Sequence, residues 1–152
     1  MRLLGEGEDA AAVIGLCSAR LPPVPGLSFG RVGAAQLEGL RALVADPRLA
    51  GRAVLVVVHH APLTHAGLAD RAHHGLADAE ALLSLLPGPR FAVLHGHIHR
   101  RYHHPATAAR PHLFGAGSST QAGLEGYWLI HTRGGQVLGG EQRGPPRVWM
   151  SQ

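Results

Sequence analysis

Ala53-Val54-Leu55-Val56-Val57-Val58 is a run of six apolar residues with no polar alternation, and it leads straight into His59-His60-Ala61-Pro62. A strand with one face in water alternates apolar and polar residues, whereas a strand covered on both faces does not. The run therefore calls for a sheet with other layers stacked on either side of it. A shorter run of the same kind, Phe91-Ala92-Val93-Leu94, ends in His95-Gly96-His97-Ile98-His99.

The flanking sequence supplies the layers. Ala10 to Cys17 is a further apolar run that suits a buried strand, and the proline- and glycine-rich stretch over 18–32 reads as a loop. Leu37, Leu40, Leu43 and Val44 mark one face of a helix from Gln36 to Val44, which Asp46-Pro47 stops. Residues 61–76 read as an exposed loop, and Ala77 to Leu86 as a helix closed by Pro87-Gly88-Pro89. Tyr102-His103-His104-Pro105 is expected to be a solvated loop. Past residue 111, the apolar stretches Pro111 to Phe114, Tyr127 to His131 and Gln136 to Leu138 are separated by glycine-rich turns. Arg133-Gly134-Gly135 carries a hairpin signal. Gly5-Glu6-Gly7-Glu8-Asp9 reads as a turn, and 144–152 as a tail in which Val148-Trp149-Met150 could add an edge strand. The order strand, helix, strand, helix, strand and then meandering strands is that of an α/β layered sheet.

Composition narrows the function classes. At 152 residues, 45% of them apolar and 16% charged, the chain has material for one packed domain. No run of about 18 apolar residues provides a membrane span. A single cysteine, Cys17, excludes an internal disulfide and a cysteine-built zinc site, and the first residues lack a secretory apolar segment, so a cytoplasmic setting is expected. The 14 basic residues are all arginine and are scattered singly except at Arg100-Arg101, so no basic stripe for nucleic acid is evident. Histidine is the informative residue: ten of the twelve fall between His59 and His104.

Two histidine clusters thus follow two core strands, and open α/β sheets bind ligands beyond the carboxyl ends of their strands. In an extended segment His97 and His99 would face the same side, and Gly96 would let the backbone come close to an ion. Imidazole suits zinc and iron, and manganese where carboxylates join. His65, His73, His74, His103, His104, His112 and His131 are expected to be packed or surface residues.

The order of these motifs, apolar strand–His59-His60-Ala-Pro and then helix, strand and Gly96-His97-Ile98-His99, resembles the calcineurin-like metallophosphoesterase family. Ala34-Ala35-Gln36-Leu37 and Gly115-Ala116-Gly117-Ser118-Ser119 are similar to its bacterial cyclic-nucleotide and glycerophosphodiester phosphodiesterase branch. The resemblance runs from about residue 10 to about residue 140. It implies a β-sandwich flanked by helices, two divalent metal ions (manganese, iron or zinc) and hydrolysis of a small phosphomonoester or phosphodiester. It implies that His59 and His97 bind one ion and His99 the other. His60 would act as the auxiliary catalytic residue, orienting its neighbour or meeting the phosphate. His95 matches no position of the motif.

The family's earlier motifs, Asp-x-His, Gly-Asp-x-x-Asp and Gly-Asn-His-Asp/Glu, have no counterpart: aspartate occurs only at 9, 46, 70 and 78, and there is no asparagine. The expectation is that residues 1–143 are the C-terminal portion of a metallophosphoesterase domain. It would be completed by an N-terminal half or by a second copy of the chain. Three histidines suffice for one zinc ion, but they offer no anionic bridge to offset the repulsion of two divalent ions. The alternatives are an inactive fragment or interaction module that keeps at most one metal, and a metal-storage protein using most of its histidines.

Overall fold

The computed structural model describes residues 1–21, 26–70, 74–118 and 121–144. The expected edge strand at Val148-Trp149-Met150, and His73, lie outside these residues. The chain is a mixed α/β structure. In order it forms β1 (Arg2–Leu4), β2 (Ala11–Gly15), α1 (Ala34–Val44), β3 (Ala53–Val57), α2 (Ala79–Ser84), β4 (Phe91–His95), β5 (Arg101–His104), β6 (His112–Ala116), β7 (Tyr127–Arg133) and β8 (Gln136–Arg143). Six strands make one sheet in the order β1-β2-β3-β4-β6-β5, and β7 and β8 form a separate hairpin. β2, β3, β4 and β6 run parallel, with Ile14 opposite Val56 and Val56 opposite Val93, while β1 and β5 cap the two edges antiparallel. Among the described residues no helix is long and apolar enough to cross a membrane.

The unbroken apolar run of β3 has the meaning its pattern implies, because both sheet faces carry a layer. Val54, Val56 and Val58 point to the helix side, where they meet Leu40 of α1, Leu82 and Leu83 of α2, Leu49 and Leu86. Ala53 and Leu55 point to the other side, where Ala11, Ala92, Phe114 and Leu94 pack with Val137, Trp128 and Ile130 of the hairpin. Small residues at 11, 53 and 92 let the hairpin sit close to the sheet. Gly134 and Gly135 take φ of +57° and +74°, the left-handed pair that a two-residue hairpin turn requires. The Gly134 N–H then docks the turn on the Glu8 carbonyl (2.7 Å).

The hairpin does not reach the whole face. Toward the carboxyl ends of the parallel strands, Val57 is 39% exposed and Gly15 and Ala116 are open to solvent. The end of β2 is held instead by Gln36, the first-turn residue of α1. Its side-chain oxygen accepts from the Cys17 N–H (2.9 Å), and its amide donates to the Cys17 and Val32 carbonyls (2.7 Å each). Asp78, just before α2, accepts from the Val32 and Gly33 N–H groups (3.0 and 2.8 Å), which fixes the entry to α1.

One segment departs from its expected form. Tyr102-His103-His104 is not a solvated loop but belongs to the edge strand β5. Aromatic ring faces are the reason. His103 stacks on Phe114 with centroids 4.2 Å apart and planes within 4°, the Tyr102 hydroxyl donates to the Leu63 carbonyl, and the His104 ring pairs with the Thr64 carbonyl (2.9 Å). Residues that look polar by type bury their rings here and keep their polar atoms paired. β1 was not expected either: its Leu3 and Leu4 stay exposed, so no hydropathy pattern announces it.

Candidate metal centre

The two histidine motifs meet because β3 and β4 are neighbours in parallel register, with Val57 opposite Leu94. The ladder continues one step past the strands, where the Val58 N–H donates to the Leu94 carbonyl (3.0 Å) and the Gly96 N–H to the His59 carbonyl (3.0 Å). Both chains leave the sheet together, so residues 38 apart in sequence end side by side. His59 Nε2 and His97 Nδ1 are 3.0 Å apart. The His60 ring centroid lies 4.9 Å from that of His59 and 4.4 Å from that of His97. One ring nitrogen from each of His59, His60 and His97 lies within 4.8 Å of the others, the one set of three metal-ligating side chains gathered this closely among the described residues.

The backbone around the cluster is specialised. His97 and His99 adopt φ of +69° and +50°, the only non-glycine positions in the left-handed region among the described residues. Such conformations cost energy, and they persist where surrounding structure enforces them. They also separate the two side chains that an extended segment would have kept parallel. The His97 ring turns to His59, whereas the His99 Nδ1–H donates to Gln121 Oε1 (3.2 Å). His99 is therefore not in the set of three.

His60 is 6% exposed and is held at two points by Ser18. Its backbone N–H donates to Ser18 Oγ (3.3 Å), and its ring Nδ1 lies 2.8 Å from the same oxygen. A hydroxyl oxygen can accept from the backbone N–H and still donate its own hydrogen to the ring, and the Ser28 backbone is a further hydrogen-bond partner of the His60 and His97 rings. Space for the ring depends on Gly30, where a Cβ would fall 2.1 Å from His60 Nδ1. Burial, and then the neighbouring His97 and His59, push the His60 pKa down to about 4, and burial followed by His59 and His74 lowers that of His97. Both shifts favour the neutral ring, the form in which imidazole binds metal.

These residues fit a divalent ion in part. Tetrahedral zinc with nitrogen ligands at 2.0–2.1 Å places those nitrogens roughly 3.3 Å apart, close to the 3.0 Å between His59 and His97. No carboxylate belongs to the set. Asp78 is engaged with the start of α1, and Asp46 is engaged with Arg48, whose guanidinium holds its carboxyl down at about 2.

The remaining histidines separate clearly. His74 lines a groove of about 460 Å³ with Ser28, His97, Ile98 and His99, its ring 6.2 Å from that of His97. Sequence reasoning gave it no role, and nothing in its local pattern would have signalled this position. His65 accepts from Arg100 (2.6 Å) and His131 pairs with Glu141 (3.1 Å). His95 is buried beside Tyr102, with Nε2 lacking a hydrogen-bond partner, and burial lowers its pKa to about 4. No protein-family model and no curated protein matches this chain.

Proposed function

We propose that the chain is the C-terminal portion, over residues 1–143, of a metallophosphoesterase-like sandwich domain that hydrolyses a small phosphoester with a divalent metal. The observation that supports this best is the 3.0 Å approach of His59 and His97 from the ends of two adjacent parallel strands. In this reading His59 and His97 hold a zinc, manganese or iron ion. His60 stands beside them, as a third ligand or as the group that meets the phosphate, and His99 serves a second ion. When bound, such an ion polarises phosphoryl oxygens and activates water. The protein's own part is to hold imidazoles in fixed orientation: Ser18 fixes His60, Gln121 fixes His99, and the left-handed backbone at 97 aims that ring at His59. The exposed free thiol of Cys17 is in keeping with a reducing, cytoplasmic compartment.

The all-imidazole donor set favours a second reading for the chain on its own: an inactive or interaction module that binds one ion. Turnover and stoichiometry together separate the two. We expect manganese-dependent hydrolysis of bis(p-nitrophenyl) phosphate that His97→Ala reduces at least about 100-fold, since a ligand carries more than the 10–100-fold typical of the groups that orient ligands. Equal turnover by wild type and His97→Ala removes the hydrolase assignment. One ion per chain with no turnover establishes the module.

A further inference from the structure

The partly uncovered sheet face has a shape of its own. Beyond the hairpin, the carboxyl ends of β2, β3, β4 and β6 border a broad open groove of about 740 Å³ whose wall includes Leu16, Val57, Val58, Leu94 and Ala116. That volume falls within the range of small-molecule pockets. Among the described residues no carboxylate or guanidinium lines it, and its polar side chains are those of Cys17, Gln36, His59 and His95. Gln36, the one side-chain amide on its border among the described residues, has both ends of its side chain committed to backbone groups of Cys17 and Val32. Among the described residues the groove therefore offers mainly apolar contact, with its imidazoles at the cluster end. It also adjoins the candidate metal centre, because His59 is part of its lining and carries the Nε2 that lies 3.0 Å from His97 Nδ1. On the other side of His97, the groove shared with His74 and His99 is rich in imidazole. A ligand anchored at the cluster thus has a polar side and an apolar side.

We propose that this apolar groove holds the uncharged, apolar organic group of a phosphoester whose phosphoryl end sits at the His59–His97 cluster, so that the chain selects flat, ring-bearing esters over small aliphatic ones. This rests on the phosphoester reading above and adds the substrate class to it. The direction follows from the geometry. A charged or sugar-like group would lose hydration against Val57 and Leu94 without gaining a partner, whereas an aromatic ring removes its own apolar surface and theirs from water.

The test needs no turnover. Phenylphosphonate and methylphosphonate carry the same anionic head and differ only in the organic group. Isothermal titration of each into the zinc-loaded chain should give about tenfold tighter binding of the phenyl compound. Val57→Ser should narrow that ratio to about twofold while leaving methylphosphonate and zinc affinities within about twofold of wild type. If both phosphonates bind wild type equally well and both need zinc, the apolar subsite is wrong and the phosphoester reading stands. If neither binds the zinc-loaded chain, the phosphoester reading fails and the subsite falls with it. The comparison of ligands on wild type decides the matter even where Val57→Ser does not fold.

Discussion

At the tips of β3 and β4, three imidazoles turn their ring nitrogens toward one another. On β5 and β6, two imidazoles turn their ring faces toward an aromatic side chain. His103 Nε2 lies 2.9 Å from His112 Nδ1, which also accepts from the Ala106 N–H (3.3 Å), and His103 lies flat on Phe114 with Trp128 at its edge (6.0 Å). Burial is the first cause of the lowered pKa at His103, brought to about 4, just as at His60. Burial and titration therefore do not tell the two groups apart. Direction does: the tip nitrogens converge from two strand ends, His97 on left-handed backbone, while the edge-strand rings are spent on stacking and on nearby partners. Histidine content alone would have assigned both groups the same chemistry.

Reciprocal substitutions put that contrast to its strongest test. His97→Ala should lower zinc affinity at least about 100-fold while shifting the melting temperature little, because its ring is only partly buried. His103→Ala should do the reverse. It removes the ring stacked on Phe114 and leaves His112 Nδ1 without its imidazole partner. The expected loss is about 2 kcal/mol, or roughly 4–8 °C for a chain of this size, with zinc affinity within about twofold. Zinc titration and thermal melting of both variants check the pair. If His103→Ala also abolished zinc binding, the division between the two groups would be false.

Acid should act first on the packed region. His60, His95 and His103 have ring pKa values near 4 in the folded chain, against 6.5 for the free group. Between these values the unfolded chain takes up protons that the folded chain refuses. Stability is therefore fully present above about pH 6.5, declines as pH falls through the window, and levels off below about 4. His95 is 3% exposed and has no hydrogen-bond partner at Nε2, and its shift corresponds to on the order of 3 kcal/mol. His95→Phe should flatten the dependence of the urea midpoint on pH between 6.5 and 4 without loss at pH 7. Should the slope persist in His95→Phe and vanish in His60→Gln, acid sensitivity belongs to the strand tips instead.

The parts of this molecule that were legible in the sequence are those where hydropathy and side-chain direction coincide. The unbroken run of β3, the leucine spacing of α1 and α2 and the glycine pair of the β7–β8 turn each have one structural solution. The meeting of His59 and His97 was readable as well, since both follow core strands of one sheet. What was hidden depended on partners distant in sequence. β5 looks polar until Phe114 and Leu63 are placed beside it. The divergence of His97 from His99 comes from backbone dihedrals that no residue pattern announces. The support under His60, from Ser18 and from the missing side chain of Gly30, is 42 and 30 residues away. Ser18 had been an ordinary loop residue by pattern.

That support provides the finest discrimination between the two groups. Ser18 is 1% exposed, and its hydroxyl is the group that meets both the backbone N–H and the ring of His60. Ser18→Ala should cost about 1 kcal/mol of stability, since it strips an acceptor from a buried N–H. It should also weaken zinc binding about tenfold, because an imidazole whose outer nitrogen is unpaired loses both its fixed tautomer and its orientation. Ser18→Thr keeps the hydroxyl and should restore zinc affinity ahead of stability, as its added methyl enters a filled site. The two readouts carry different information. A fall in stability with zinc affinity unchanged would mean that His60 is a packed residue like His103, leaving His59 and His97 as the only ligands of the cluster. A fall in both, with rescue by threonine in the zinc titration alone, makes His60 a third ligand whose geometry is set from the β2 side of the sheet.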